Sequence, residues 1–363
     1  MGVIQLWSVL APVKKHVPLS DLKGQTLAVD LSIWVCESNA VRQMQGVVLK
    51  PHLRNLFFRV SNLTQMGIKL IFAIDGEAPD LKRDTMAKRQ QARHQGKHKT
   101  TSSLSKPKRK GRSQFNTILK ECCELLSHLG IPYIYSQGEA EALCALLNRQ
   151  GIADGCLTED GDAFLYGART VYRNFTLNTK DPHVESYCGE DIEKSLGLGQ
   201  EGLVGLALLL GCDYLPKGVP GVGKEQVLKL VKLLEGVNIL DRFEAWQTED
   251  GSNLEGIEKA VWKKAMKVEN FPNHEVINEF LVAKDTCAAK EFRQRRPWIE
   301  KLQDFLFQKL DWPREYTEEK VLPLITLWDM TDILLTGQHK PALHLVPHRI
   351  VKRRVDRECR VWR

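Results

Sequence analysis

No stretch of this 363-residue sequence approaches the roughly 20 consecutive apolar residues that a membrane-crossing helix needs. A membrane protein is therefore not expected, and a soluble, globular chain is. The amino terminus, MGVIQLW, has no basic segment leading into a longer apolar run, so it lacks a secretory signal and a cytosolic or nuclear protein is expected. N-myristoylation at Gly2 wants Ser or Thr where Leu6 stands, so Gly2 needs another explanation. The nine cysteines (36, 122, 123, 144, 156, 188, 212, 287 and 359) form no CxxC pair and have no matching histidines. That argues against both a zinc cluster and a disulfide framework, leaving reduced, mostly buried thiols. No internal repeat is evident.

Charge is abundant but unevenly placed. Residues 82 to 112 hold 12 Lys or Arg against one acidic residue, a local +11 within a chain of net +7, so the remainder carries about −4. A near-neutral body with one basic segment fits a polyanion gripped at a defined place; a solvated charged loop is the plain alternative. Residues 91 to 113, almost without apolar side chains, cannot join a core and are expected to be a mobile insertion.

Four short apolar runs read as buried strands: TLAVD at 26 to 30, IKLIFAID at 68 to 75, IPYIYS at 131 to 136 and GCLTED at 155 to 160. Helical patterns between them, HLRNLFFRVSNLTQMG and FNTILKECCELLSHLG, predict an α/β fold with a central, mostly parallel sheet flanked by helices. A mainly helical region from about 189 to 335 follows, interrupted by KGVPGVGK at 217 to 224 and a polar stretch at 247 to 256. After Leu335 a basic tail with interleaved β-branched residues reads as the start of a small β module.

The strand ends carry acids: Asp30, Asp75, Glu139 with Glu141, and Asp160 with Asp162, while Asp213 follows the apolar run LVGLALLLGC. In open parallel sheets ligands bind at that edge. Any one of these acids alone is best read as a cap or a surface residue. Together on one rim they would repel unless cations sat among them. Oxygen-only ligands favour Mg²⁺ or Mn²⁺ over zinc, and such ions suit phosphate chemistry. Glu139 and Glu141 stand two apart, so both reach one site only across a strand-to-helix junction, which Gly138 is expected to permit.

At these residues the chain resembles the XPG-type, structure-selective 5′ nucleases over roughly residues 1 to 335. The likeness rests on MGVxxLW, VDLSIW, IDGEAPDLKRDTMAKR, GEAEA, TEDGD and GCDYLPKGVPGVGKEQ. It implies a PIN-like nuclease core in which Asp30, Asp75, Glu139, Glu141, Asp160, Asp162 and Asp213 hold two Mg²⁺ ions, with Mn²⁺ as a substitute. It also implies that Gly2 packs near the scissile phosphate, and that Lys82 and Arg89 stand on a helix over the metals, where their spacing of seven gives them one face. KGVPGVGK resembles the turn of a helix–two-turn–helix element, with Gly218, Gly221 and Gly223 opening backbone amides to a phosphate and Lys217 and Lys224 adding charge. The implied organisation is an amino-terminal nuclease region (1–90), a basic arch insertion (91–113), an internal nuclease region (114–215), a helical carboxyl-terminal region (216–335), and a linker leading into a chromodomain-like module (336–363).

Within that family the Gen-type Holliday junction resolvases are favoured by VYRNFTLNTKDPHVESY at 171 to 187 and by HRIVKRRV in the tail. Flap endonucleases place a base-stacking aromatic six residues beyond the first metal aspartate. Here Cys36 stands at that position, with Trp34 nearby. The expectation is a nuclear enzyme, monomeric alone and dimeric on four-way junctions, that cuts branched DNA, including 5′ flaps and forks, in repair and recombination. The competing readings are an ordinary flap endonuclease or 5′–3′ exonuclease of the same family, a junction-binding protein without catalysis, and a DxD-type phosphatase, the last of which leaves the basic segment unexplained.

Overall fold

The computed structural model describes residues 2–40, 48–77, 80–82, 110–178, 180–286, 292–336, 347–354 and 357–362. Arg89 and the basic stretch from 91 to 109 lie outside these residues.

The strands are β1 (Lys15–Pro18), β2 (Thr26–Asp30), β3 (Lys69–Ile74), β4 (Tyr133–Tyr135), β5 (Gly155–Leu157), β6 (Thr170–Thr176) and β7 (His183–Cys188). They form one seven-stranded sheet in the order β1-β7-β6-β5-β2-β3-β4. The four strands expected from the apolar runs are β2, β3, β4 and β5, and they pair in parallel, as do β5 and β6. An antiparallel edge of β6, β7 and β1 adds three strands that the apolar pattern had not marked. Outside this sheet, the tail forms the two-stranded antiparallel pair β8 (Pro347–Arg354) and β9 (Arg357–Trp362).

Both faces of the sheet are covered, which explains why the central strands read as continuous apolar runs. Along β2 and β3 successive residues point to opposite faces. Ala28, Ile71 and Ala73 pack into a core with the helices Ala140–Arg149 and Gln200–Leu210. Leu27, Val29, Leu70, Phe72 and Ile74 pack on the other side with the helices Pro51–Gln65, Lys110–Leu129 and Ile299–Leu310. Alanines on the first face let the helix carrying Glu141 lie close to the strands that carry Asp30 and Asp75.

Trp34 belongs to the second core. It is 5% exposed, with its ring edge-on to Phe72 at 5.3 Å, stacked on Phe175 at 6.0 Å and under the Arg59 guanidinium at 5.1 Å. A ring enclosed in this way cannot stack on a base, whereas Cys36 is exposed. Of the cysteines at 36, 122, 123, 144, 156, 188 and 212, five are buried: Cys122, Cys123, Cys144, Cys156 and Cys212. None of the helices among the described residues is long and apolar enough to cross a membrane.

Candidate metal-binding active site

The parallel strands point their carboxyl ends to one rim, and the acids arrive there one element at a time. Asp30 ends β2, and its Oδ1 accepts from the Ser32 amide at 2.7 Å. Asp75 follows β3; its Oδ1 accepts from the Ala140 amide at 2.9 Å and its Oδ2 from the Ser32 hydroxyl at 2.5 Å. Glu139 is the extended residue preceding the helix Ala140–Arg149, and Glu141 lies in that helix's first turn, so the pair does straddle a strand-to-helix junction. Gly138, expected to permit this junction, has no positive φ and has room for a Cβ, so the junction does not depend on glycine there. Ser136 shapes the turn instead: its hydroxyl accepts from the Gly138 amide at 3.1 Å and lies 3.0 Å from the Glu139 carbonyl and 2.7 Å from Asp285.

Asp162 opens the short helix Asp162–Leu165 and accepts from the Val3 amide at 2.9 Å. Asp213 follows the helix Gln200–Leu210 and accepts from the Gly2 amide at 3.2 Å. Single ligand atoms of Glu141, Asp160 and Asp162 fall within 4.8 Å of one another. Asp30, Asp75, Glu139 and Asp213 join the same electrostatic cluster: Asp75 acts on Asp30 and Glu139, Asp30 on Glu141, and Asp213 on Asp160 and Asp162. All seven sequence-predicted acids therefore converge.

Burial pushes the carboxyls of Asp30, Glu141 and Asp162 well above their usual range, and their neighbours' negative charge pushes further. Burial likewise raises Glu139 and Asp160. Such a group is unfavourable as a set of bare anions, and a divalent cation among them would offset both the burial of charge and the mutual repulsion. The donor set is all oxygen, as Mg²⁺ requires.

Gly2 stands against this cluster with φ of 82°. A Cβ there would lie 2.0 Å from Asp160 Oδ1 and 2.5 Å from Asp162 Oδ1, so both the backbone conformation and the space demand glycine. Lys82 closes a short 3₁₀ turn, Asp80–Lys82, and its Nζ lies 2.6 Å from Glu139 Oε1 and 3.6 Å from Asp213 Oδ2. Burial alone lowers its pKa, but Glu139, Glu141 and Asp213 hold it above the usual lysine range, so it stays cationic.

The glycine turn divides by role. Gly218, with φ of 51°, gives its N–H to the Leu215 carbonyl at 3.1 Å, and an added Cβ would meet the Gly211 amide and Leu209 carbonyl at 2.5 Å. It serves close backbone packing, which corrects the expectation that its amide faces a phosphate. Gly221 and Gly223 are exposed, and Gly223 precedes the helix Lys224–Leu233 with nothing near its missing side chain. Lys217 is exposed, while Lys224 Nζ contacts the Ser8 hydroxyl at 2.8 Å and ties the turn to the amino-terminal helix.

Two partners escaped the sequence reading. Ser32 supports both Asp30 and Asp75. Tyr214, bonded through its hydroxyl to that of Tyr166 at 2.7 Å, also hydrogen-bonds Glu139, and Lys82 Nζ lies 5.9 Å from the centre of its ring. Each stands within two residues of a metal-ligand candidate in sequence, but no spacing rule separates a supporting hydroxyl from any other.

Fold and site together define a nuclease core of the α/β type. Family models describing the XPG N-terminal domain and the XPG I-region match residues 1–96 and 130–213. The chain belongs to this XPG family of nucleases. It is 45% identical to the human protein named flap endonuclease GEN homolog 1, an alignment covering 98% of this chain and 45% of that protein. The solved structure of human GEN1 in complex with Holliday junction DNA is similar with a TM-score of 0.82 and 49% identity, over 99% of this chain and 86% of that one. A structure of the Holliday junction-resolving enzyme GEN1 with product DNA and a Mg²⁺ ion is similar with a TM-score of 0.66 and 26% identity, over 92% of this chain and 80% of that one. The chain spans about half the length of the curated relatives it matches.

Proposed function

We propose that this chain is a Mg²⁺-dependent endonuclease that hydrolyses phosphodiester bonds at branched DNA, resolving four-way junctions by paired symmetric incision and cutting 5′ flaps and forks. The convergence of Asp30, Asp75, Glu139, Glu141, Asp160, Asp162 and Asp213 on one rim carries this reading, supported by the GEN relatives' names and DNA complexes.

These seven carboxylates would hold two Mg²⁺ ions, for which Mn²⁺ could substitute. Ions so bound supply an activated water and charge for the leaving oxygen. The chain's own residues do the rest. Backbone amides of Ser32, Ala140 and Val3 hold Asp30, Asp75 and Asp162 in place, and Gly2, having no side chain, lets the amino terminus pack directly against Asp160 and Asp162. Lys82 supplies a fixed cation for charge developing on the phosphate, with Arg89 proposed as its partner. Gly221, Gly223 and Lys217 offer a grip for a phosphate further along the duplex. DNA as substrate makes the nucleus the working place, and the basic run at 106 to 110 is consistent with import. An amino-terminal nuclease region at 1–90, an internal nuclease region at 114–215 and a helical carboxyl-terminal region at 216–335 belong to the same proposal.

The test is incision mapping on matched flap, fork and four-way substrates with Mg²⁺. Paired symmetric cuts at four-way junctions are expected, and Asp30→Asn should abolish cutting while sparing DNA binding. Cutting of flaps alone would select the flap-endonuclease reading, which the relatives' names also favour. Binding without any cutting would select a non-catalytic junction binder.

A further inference from the structure

A group of metal-ligand side chains outside the carboxylate rim sits on the antiparallel edge of the sheet. Strand β1 has four residues, with Pro18 opposite His183 and His16 opposite Glu185, so His16 and His183 are diagonal neighbours on one face. The turn before β7 adds Asp181, and the Leu19 amide pins that turn by donating to the Pro182 carbonyl at 2.9 Å. The backbone register itself therefore brings the three residues together.

His16 Nε2 lies 3.4 Å from Asp181 Oδ1, and His183 Nδ1 lies 3.1 Å from Asp181 Oδ2 and 2.9 Å from the Asp181 carbonyl. The two imidazoles are 4.0 Å apart, centre to centre. One ligand atom from each residue falls within 4.8 Å of the other two. Around a tetrahedral ion with bonds of about 2.0–2.1 Å, neighbouring ligands stand about 3.3 Å apart. His16 Nε2 and His183 Nδ1 each already stand near that spacing from an oxygen of Asp181, one on each arm of the carboxylate, and the three residues together offer ligand atoms within 4.8 Å of one another.

We propose that His16, Asp181 and His183 form a second metal site, separate from the carboxylate cluster, for a borderline divalent ion such as Zn²⁺. Two nitrogen donors and one carboxylate suit zinc and disfavour Mg²⁺, which selects all-oxygen sites. The bound ion staples the short edge strand β1 to the turn between β6 and β7. The three side chains are 53%, 58% and 23% exposed, so an ion can reach them and substitutions leave the core untouched.

Calorimetric titration of Zn²⁺ into the purified chain, held in excess Mg²⁺ to occupy the carboxylates, tests this directly. One Zn²⁺ per chain is expected at this site. H16A, H183A and D181N should each weaken it by more than about tenfold, and Asp30→Asn should retain it. Zn²⁺ should also slow hydrogen exchange at the amides of residues 15 to 17 in the unaltered chain. No Zn²⁺ uptake, uptake unchanged in all three variants, or uptake lost with Asp30→Asn would overturn the site. Thermal unfolding without Zn²⁺ verifies that each variant is folded, and the exchange measurement on the unaltered chain decides the matter for any that is not.

Discussion

A Cβ on residue 2 has nowhere to go, because the two nearest atoms are carboxylate oxygens held by backbone amides, Asp160 Oδ1 by that of Asp162 and Asp162 Oδ1 by that of Val3. Gly2→Ala must therefore displace Asp160 and Asp162 or the amino terminus itself. Cutting is expected to slow by at least about 100-fold, as an ångström of misplacement suffices for that, while circular dichroism stays unchanged; unaltered rates would show that the cluster can yield. Lys82 makes a different contribution, since it supplies charge without fixing a strand or helix. Lys82→Met is expected to lower kcat by about 100- to 1000-fold with little change in Kd for branched DNA, measured by single-turnover kinetics and by binding in Ca²⁺. At this scale the acids were legible because they stand where apolar runs stop, and Gly2 was legible only through the family resemblance. Ser32, Tyr214, His16, Asp181 and His183 were not, because the contacts that give them a role join residues far apart in sequence.

Among the elements, the helix Lys110–Leu129 is held to its neighbours by a carboxylate as well as by its apolar face. Glu121 accepts from Lys50 Nζ at 2.5 Å and from Lys309 Nζ at 3.0 Å, linking it to the helices Pro51–Gln65 and Ile299–Leu310. Burial raises the Glu121 pKa, but the two ammonium groups outweigh it and hold the group below its usual 4.5. A pKa depressed by folding stabilises the folded state above the unfolded value, and that stabilisation disappears as pH falls through the folded value. Glu121→Gln should therefore lower the Tm by a constant amount at neutral pH, and the difference should shrink below about pH 4.5; a difference that persists at pH 3 would refute the assignment. The parallel strands β2, β3 and β5 were readable because both their faces are buried, and the edge strand β4 because its short run IPYIY is apolar and aromatic. Strands β1, β6 and β7 were not, because a partly exposed antiparallel edge mixes polar and apolar residues, as in KHVP and VYRNFT.

One chain carries one such carboxylate rim among the described residues, whereas symmetric incision of a four-way junction needs two, related by the junction's own two-fold axis. Small-angle scattering is therefore expected to give the mass of a single chain in solution and of two chains on a four-way junction; a stable dimer without DNA would contradict the proposal. The sequence alone determined the α/β class, the parallel core and the identity of the acids, because hydrophobic period and strand ends are local properties that neighbouring residues specify. Tertiary structure decided which distant groups meet. The Gly2 amide reaches Asp213 across 211 positions and Lys82 reaches Glu139 across 57, while Trp34 is shut into the core and Gly218 is spent on packing. These outcomes follow from strand order, register and helix docking, which depend on the summed burial of both faces of the sheet and leave no short-range mark in the chain.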